Sequence, residues 1–136
     1  MRRAGGRILA RLCPRWVLRH ARDPELVGRA GEALAGRFLQ RQGYRVLCRR
    51  LVTEEAELDL VCRKGKRLVC VEVKTGRIGP CFRPGMRISR RGIERLWNAA
   101  RALETRYRLP ARVDLVEVDR REPPAFVHHR GVREPL

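Results

Sequence analysis

Apolar and polar positions change period several times along this chain. From Pro24 to about Gln42 the apolar residues recur at helical spacing, and Leu26, Val27, Ala30, Ala33, Leu34, Phe38 and Leu39 form one broad face. Asp23 suits the N-cap, Pro24 the first helical position, and Gly43 the C′ position that ends the helix. A period of two then takes over. Tyr44 to Arg49, Ala56 to Cys62 and Arg67 to Lys74 read as strands, the last two joined by a short turn within Arg63-Lys64-Gly65-Lys66. Thr75 to Met86 holds three glycines and two prolines and reads as loop. Ser89 caps a second helix, about Arg90 to Tyr107, whose stripe is Ile93, Leu96, Trp97, Ala100 and Leu103. Val113 to Val118 is a fourth strand, and Ala125 to His129 a short edge strand after Pro123-Pro124. The order α-β-β-β-α-β predicts an α/β fold with a mixed central sheet and a helix on each side.

One domain spanning residues 23–130 accounts for this pattern. Residues 1–22 read as a basic, poorly ordered extension, with a short Arg-rich helix as the alternative, and 131–136 as a C-terminal tail. No apolar run approaches the roughly 20 residues that span a bilayer, which excludes an integral membrane protein. The first 19 residues carry Arg every few positions and no apolar stretch longer than three, unlike a secretory signal. A cytoplasmic protein is the expectation.

Strands two and three carry the densest pattern. In Ala56 to Cys62, Glu57 and Asp59 share a face; in Leu68 to Lys74, Cys70, Glu72 and Lys74 share one. A two-residue hairpin loop at Lys64-Gly65 sets Leu58 opposite Val71 and Leu60 opposite Val69 on a core face. The other face then brings Glu57 opposite Glu72, Asp59 diagonal to Glu72, and Lys74 beside them. A slip of one residue would drive Glu72 and Lys74 into the core, so the apolar pattern fixes which side chains meet.

Charge narrows the chemistry. The chain holds 32 Lys and Arg against 15 Asp and Glu, a net +17. Such a domain repels itself unless it meets a polyanion; nucleic acid is the usual one, and an anionic membrane surface comes second. A GC-rich genome explains the preference for Arg over Lys, but not the excess over acids. The five cysteines are widely spaced with no C-x-x-C pair, which argues for free thiols rather than zinc ligation. His20, His128 and His129 read as surface residues and Trp97 as core.

Against this background a carboxylate patch on one strand face asks for compensation, by solvent or by a divalent cation. Hard ions such as Mg²⁺ or Mn²⁺ take carboxylate oxygens, polarise phosphate oxygens and acidify water. Lys74, one of three lysines among the 32 cations, can change protonation state where Arg cannot. Glu32 is a further acid, on the first helix among the small residues Gly28, Ala35 and Gly36. Glu57 is an auxiliary acid. Arg77, Arg87, Arg90 and Arg91, in the loop and at the second helix start, are the candidate nucleic-acid contacts.

The strings Gly31-Glu32-Ala33-Leu34-Ala35, Gly43-Tyr44, Glu57-Leu58-Asp59-Leu60 and Val71-Glu72-Val73-Lys74-Thr75 together resemble the YraN family of small bacterial proteins. That family is similar to the PD-(D/E)xK, restriction-endonuclease-like superfamily, and especially to archaeal Holliday-junction resolvases. The resemblance covers about residues 27–130. It implies a restriction-endonuclease-like fold, with Asp59, Glu72 and the backbone carbonyl of Val73 as metal ligands, Lys74 as catalytic lysine and Glu32 as the helix acid. It departs from the family pattern at Ala56, at Arg50-Leu51-Val52 and at Thr75-Gly76-Arg77. The expectation is an Mg²⁺-dependent endonuclease acting on structured or branched DNA. A non-catalytic nucleic-acid-binding module of the same fold is the alternative, and an RNA-associated factor is a third reading. Branch-cutting nucleases of this fold tend to be symmetric dimers.

Overall fold

A computed structural model describes residues 2–81 and 83–136. Helices α1 (Arg2–Leu12), α2 (Pro14–His20) and α3 (Pro24–Arg41) precede strands β1 (Arg45–Val52), β2 (Glu57–Lys64) and β3 (Arg67–Gly76). A 3₁₀ turn (Pro84–Arg87), α4 (Arg90–Tyr107), β4 (Ala111–Asp119) and β5 (Ala125–His129) follow. The five strands form one mixed sheet in the order β1-β2-β3-β4-β5, antiparallel except for the β3–β4 pair that α4 bridges. Asp23 caps α3 through the Glu25 N–H (3.0 Å), and Ser89 caps α4 through the Gly92 N–H (3.0 Å), as the sequence predicts.

Helices cover both faces. On one, Ala30, Leu34 and Leu39 of α3 pack on Leu60, Val69, Val71, Val116 and Val118. On the other, Leu96, Ala99, Ala100 and Leu103 of α4 pack on Val61, Leu68, Cys70 and Val113. Helix α3 comes closest to the sheet at Gly31, where a Cβ would sit 1.8 Å from Thr75 Oγ1. That hydroxyl is buried with no hydrogen-bond partner.

The N-terminal segment differs from its reading as a poorly ordered extension. Ala10, Val17 and Leu18 are buried in the α3-side core. Arg120 donates to the carbonyls of Leu18 and Ala21 and so satisfies acceptors at the end of α2. The arginine-dense composition hides this narrow apolar stripe. At the other terminus, Gly131 and Val132 also belong to the domain. The Val132 N–H meets Val113 O at 2.7 Å, and its carbonyl accepts from Trp97 Nε1 at 3.0 Å.

The hairpin register corrects the expected one. The loop is Gly65-Lys66, Lys64 pairs with Arg67, and Leu60 stands opposite Val71 rather than Val69. Gly65, at φ +60°, takes the first loop position, which a type II′ turn reserves for glycine. The two-residue shift preserves the faces and brings Asp59 level with Glu72 and Glu57 level with Lys74.

Candidate functional site

The β2–β3 ladder ends at Leu60 opposite Val71. Where the next rung would form, the Val73 N–H donates to Asp59 Oδ2 at 2.8 Å. A strand residue sends its N–H and C=O toward the same neighbour, so the Val73 carbonyl also faces this opening.

Strand β1 breaks its alternation at the same level. Arg49 pairs with Leu60 and Leu51 with Leu58, which leaves Arg50 across from Asp59, and Arg50 lies at φ +49°. A non-glycine residue there carries strain of about 1–3 kcal/mol. The kink turns Arg50 toward α3, where Nε and a terminal nitrogen grip Glu32 at 2.9 and 3.0 Å. Beyond it Leu51 and Leu58 join the α4-side core, although simple alternation sets Leu58 with Leu60. Asp59 thus acts both on Glu32 of α3 and on Glu72 of β3.

Electrostatics follows from this crowding. Burial, then the Asp59 charge, pushes the Glu72 carboxyl up to about 7, against the pull of Lys74 Nζ at 3.2 Å. Burial and then Asp59 also push Glu32 up to about 7, against Arg50. Asp59 is raised by burial, despite the Val73 N–H and the nearby Lys74 and Arg50. Asp59 and Glu72 lie within hydrogen-bonding reach of each other, an arrangement in which two carboxyls can share a proton or take a cation between them.

Among the described residues no group of three or more His, Cys, Asp and Glu side chains gathers as a metal-ligand set. The donors that converge are two carboxylates and the Val73 carbonyl, hard oxygens that fit Mg²⁺ or Mn²⁺, which retain several waters. Glu32 is occupied by Arg50. Glu57 is exposed at the rim, 3.8 Å from an Arg50 nitrogen. Cys62 and Cys70 are buried in the core, each pushed up to about 12 by burial.

A cleft of about 260 Å³ opens between this site and α4, bordered by Glu57, Glu72, Lys74, Arg87, Ser89 and Arg95. Arg77 and Arg87 border the adjoining cleft. Arg90 instead bonds Glu94 and the Leu136 carbonyl, and Arg91 is exposed on the first turn of α4; neither lines these two clefts.

Sequence reasoning missed Arg50 and Arg95, and it missed two acids on β4. Asp114 (0% exposed) is held by Arg112, His128 and the Gly131 N–H. Glu117 (1% exposed) is held by Arg83, His129 and the Gly85 N–H. The His128 side chain is 7% exposed, which corrects its reading as a surface residue. The available signal was two acids within a valine-rich strand. No helix among the described residues is long and apolar enough to cross a membrane.

The model of the uncharacterised protein family UPF0102 matches residues 31–118. A UPF0102 protein of Thermotoga maritima is 36% identical over 103 residues, covering 74% of this chain and 91% of its own. One from Beutenbergia cavernae is 40% identical over 119 residues, covering 82% and 98%. One from Kosmotoga olearia is 48% identical over 73 residues, covering 54% of this chain and 62% of its own. The matched span holds Glu32, Asp59, Glu72 and Lys74 together, and the chain belongs to the UPF0102 family.

Proposed function

We propose that this protein is a divalent-cation-dependent endonuclease that hydrolyses phosphodiester bonds in structured or branched DNA, within a restriction-endonuclease-like fold. The observation that carries this reading is the Asp59–Glu72 pair. It is half-buried, short of positive charge and flanked by Lys74, at the end of a hairpin that opens at that level.

Asp59, Glu72 and the Val73 carbonyl would hold the ion. When bound, Mg²⁺ or Mn²⁺ supplies Lewis acidity to a phosphoryl oxygen and acidifies water. The chain's own groups supply the rest. Lys74 Nζ, 3.2 Å from Glu72, is placed to orient the attacking water and to stabilise charge on the phosphate. Arg50 keeps Glu32 from adding a further free carboxylate beside Asp59. Arg77 and Arg87 offer guanidinium groups to flanking phosphates. Symmetric pairing of two copies would suit a branched substrate.

The test incubates the purified protein with duplex, single-stranded and four-way DNA, in Mg²⁺, in Mn²⁺ and in EDTA. Cleavage should require the cation, and Lys74→Ala should lower it by about 10²- to 10⁴-fold while binding stays nearly intact. Equal cleavage by Lys74→Ala would remove the lysine from the mechanism. One observation favours a second reading, a binding module that does not cut: among the described residues no third acid joins Asp59 and Glu72 in a metal-ligand set. No cleavage under either cation, with binding lost in the Lys74, Asp59 and Glu72 variants, would replace the first reading by the second.

A further inference from the structure

The carboxylate cleft does not end at Lys74. It shares Lys74 and Arg87 with a larger cleft, about 460 Å³, between the start of α3 and the end of β3. That cleft in turn shares Arg77 and Arg120 with a third, about 170 Å³, between α2 and the β4–β5 connection. The three hollows therefore run in series from the carboxylate pair to the N-terminal helices.

Their charge is one-sided. Arg15, Arg19, Arg22 and Arg121 join the four shared cations along the second and third hollows, and Glu122 is the single acid there. Some of these guanidiniums are structural: Arg15 meets Glu122, Arg120 holds carbonyls of Leu18 and Ala21, and Arg87 holds the Thr75 carbonyl. Arg19, Arg22 and Arg77 have no side-chain hydrogen bond or ion pair among the described residues. Like charges gathered in a concave wall repel each other and focus the field outward, a cost that a polyanion removes. Among the described residues no aromatic side chain lines any of the three hollows, so none of these is suited to stack a base there. A line of cations along connected hollows fits a repeated anion rather than a lone phosphate.

We propose that the three hollows form one track for the sugar-phosphate backbone of a nucleic-acid strand leaving the carboxylate site, with α2 and the β4–β5 connection as its outer bank. This rests on reading the carboxylate pair as a phosphodiester site. Arg15, Arg19, Arg22, Arg120 and Arg121 all lie outside residues 31–118, the span that the family model matches. Contact through phosphates alone makes the track indifferent to sequence.

The experiment measures DNA binding by fluorescence anisotropy in EDTA, where cleavage plays no part. It compares wild type with Arg19→Gln/Arg22→Gln/Arg77→Gln. The control is Arg41→Gln/Arg45→Gln/Arg67→Gln, three exposed cations at the opposite end of α3 and the strands. The track variant should bind about 10- to 100-fold more weakly at moderate salt, and its plot of log affinity against log salt should be shallower by about two to three. The control should lose far less. The single variants Arg22→Gln and Arg77→Gln should each flatten the slope by about one. Equal losses in track variant and control would reduce the track to diffuse charge and overturn it. So would a wild type that binds no nucleic acid, or one that prefers anionic lipid vesicles. A wild type that binds through these arginines without cutting under any cation overturns the nuclease reading and leaves the track standing.

Discussion

Asp114 and Glu117 of β4 are less exposed than Glu72 of β3 one strand away, yet they stay ionised more readily. Burial works against both, but His128, Arg112 and the Gly131 N–H hold Asp114 below the usual carboxylate range. Arg83, His129 and the Gly85 N–H hold Glu117 down to about 2. Glu72, with Lys74 as its one cation and Asp59 as a competing charge, rises to about 7. Solvent exposure alone therefore does not rank these acids; burial raises all three, and the donors aimed at each decide how far that rise is offset. The β4 acids are fully provisioned by the fold and serve it. The acids at the end of β2 and β3 have fewer donors than they can use, which is what the proposed cation-binding role requires of them.

The contrast can be broken at its strongest point first. Asp114→Ala strands Arg112 and His128 in the interior and should cost about 3–5 kcal/mol in chemical denaturation. A loss near zero would show that the β4 network is no more structural than the site acids. Next comes cation linkage: Mg²⁺ or Mn²⁺ at about 100 times its Kd should stabilise the wild type by about 2.7 kcal/mol. Asp59→Asn and Glu72→Gln should lose most of that gain, while substitutions in the β4 network should keep it.

The pH dependence sharpens the same point. A carboxyl raised in the folded state favours folding at low pH, and this contribution is lost as pH rises through the folded value. Without a divalent cation, stability should fall between about pH 5 and pH 8, on the order of 2 kcal/mol, as Glu72 and Glu32 pass about 7. Glu72→Gln should remove much of that fall. Glu117 has the opposite sign: its contribution is present above the ordinary 4.5 and lost as pH drops toward about 2. The smallest effect belongs to Asp59→Asn at pH 8 in EDTA. The amide oxygen can still accept the Val73 N–H while the repulsion with Glu72 goes, so a gain of about 1 kcal/mol is expected from thermal melts. A clear loss there would mean that Asp59 is as structural as Asp114.

The order of elements was legible because period 3.6 and period 2 alternate cleanly along the chain. The meeting of Asp59, Glu72 and Lys74 was legible because their parity on two adjacent strands is visible in the apolar pattern. The register was not, since a slip of two residues leaves every face unchanged; the turn geometry around Gly65 decides it. The left-handed Arg50 left no signal, because arginine gives no hint of positive φ, and with it went the rotation of Leu51 and Leu58. Asp114 and Glu117 were invisible as buried acids because their partners come from Arg112, His128, Arg83 and His129, brought together by the tertiary fold. The N-terminal helices were misjudged because three buried residues, Ala10, Val17 and Leu18, outweigh a composition that reads as unstructured.

The seam between α3 and β3 links two positions that lie far apart in the chain. A methyl group at position 31 would overlap Thr75 Oγ1 and lie 2.9 Å from its Cβ, so trimming Thr75 to alanine does not clear the space. The seam admits a side chain from one bank or the other, never from both. A lineage that gains a side chain at position 31 must therefore give up the one at position 75, and the reverse move is equally open. Either trade keeps the spacing of helix and strand, whereas gaining the side chain at position 31 first forces the two apart. The two positions therefore form one steric pair whose side chains have to be varied together.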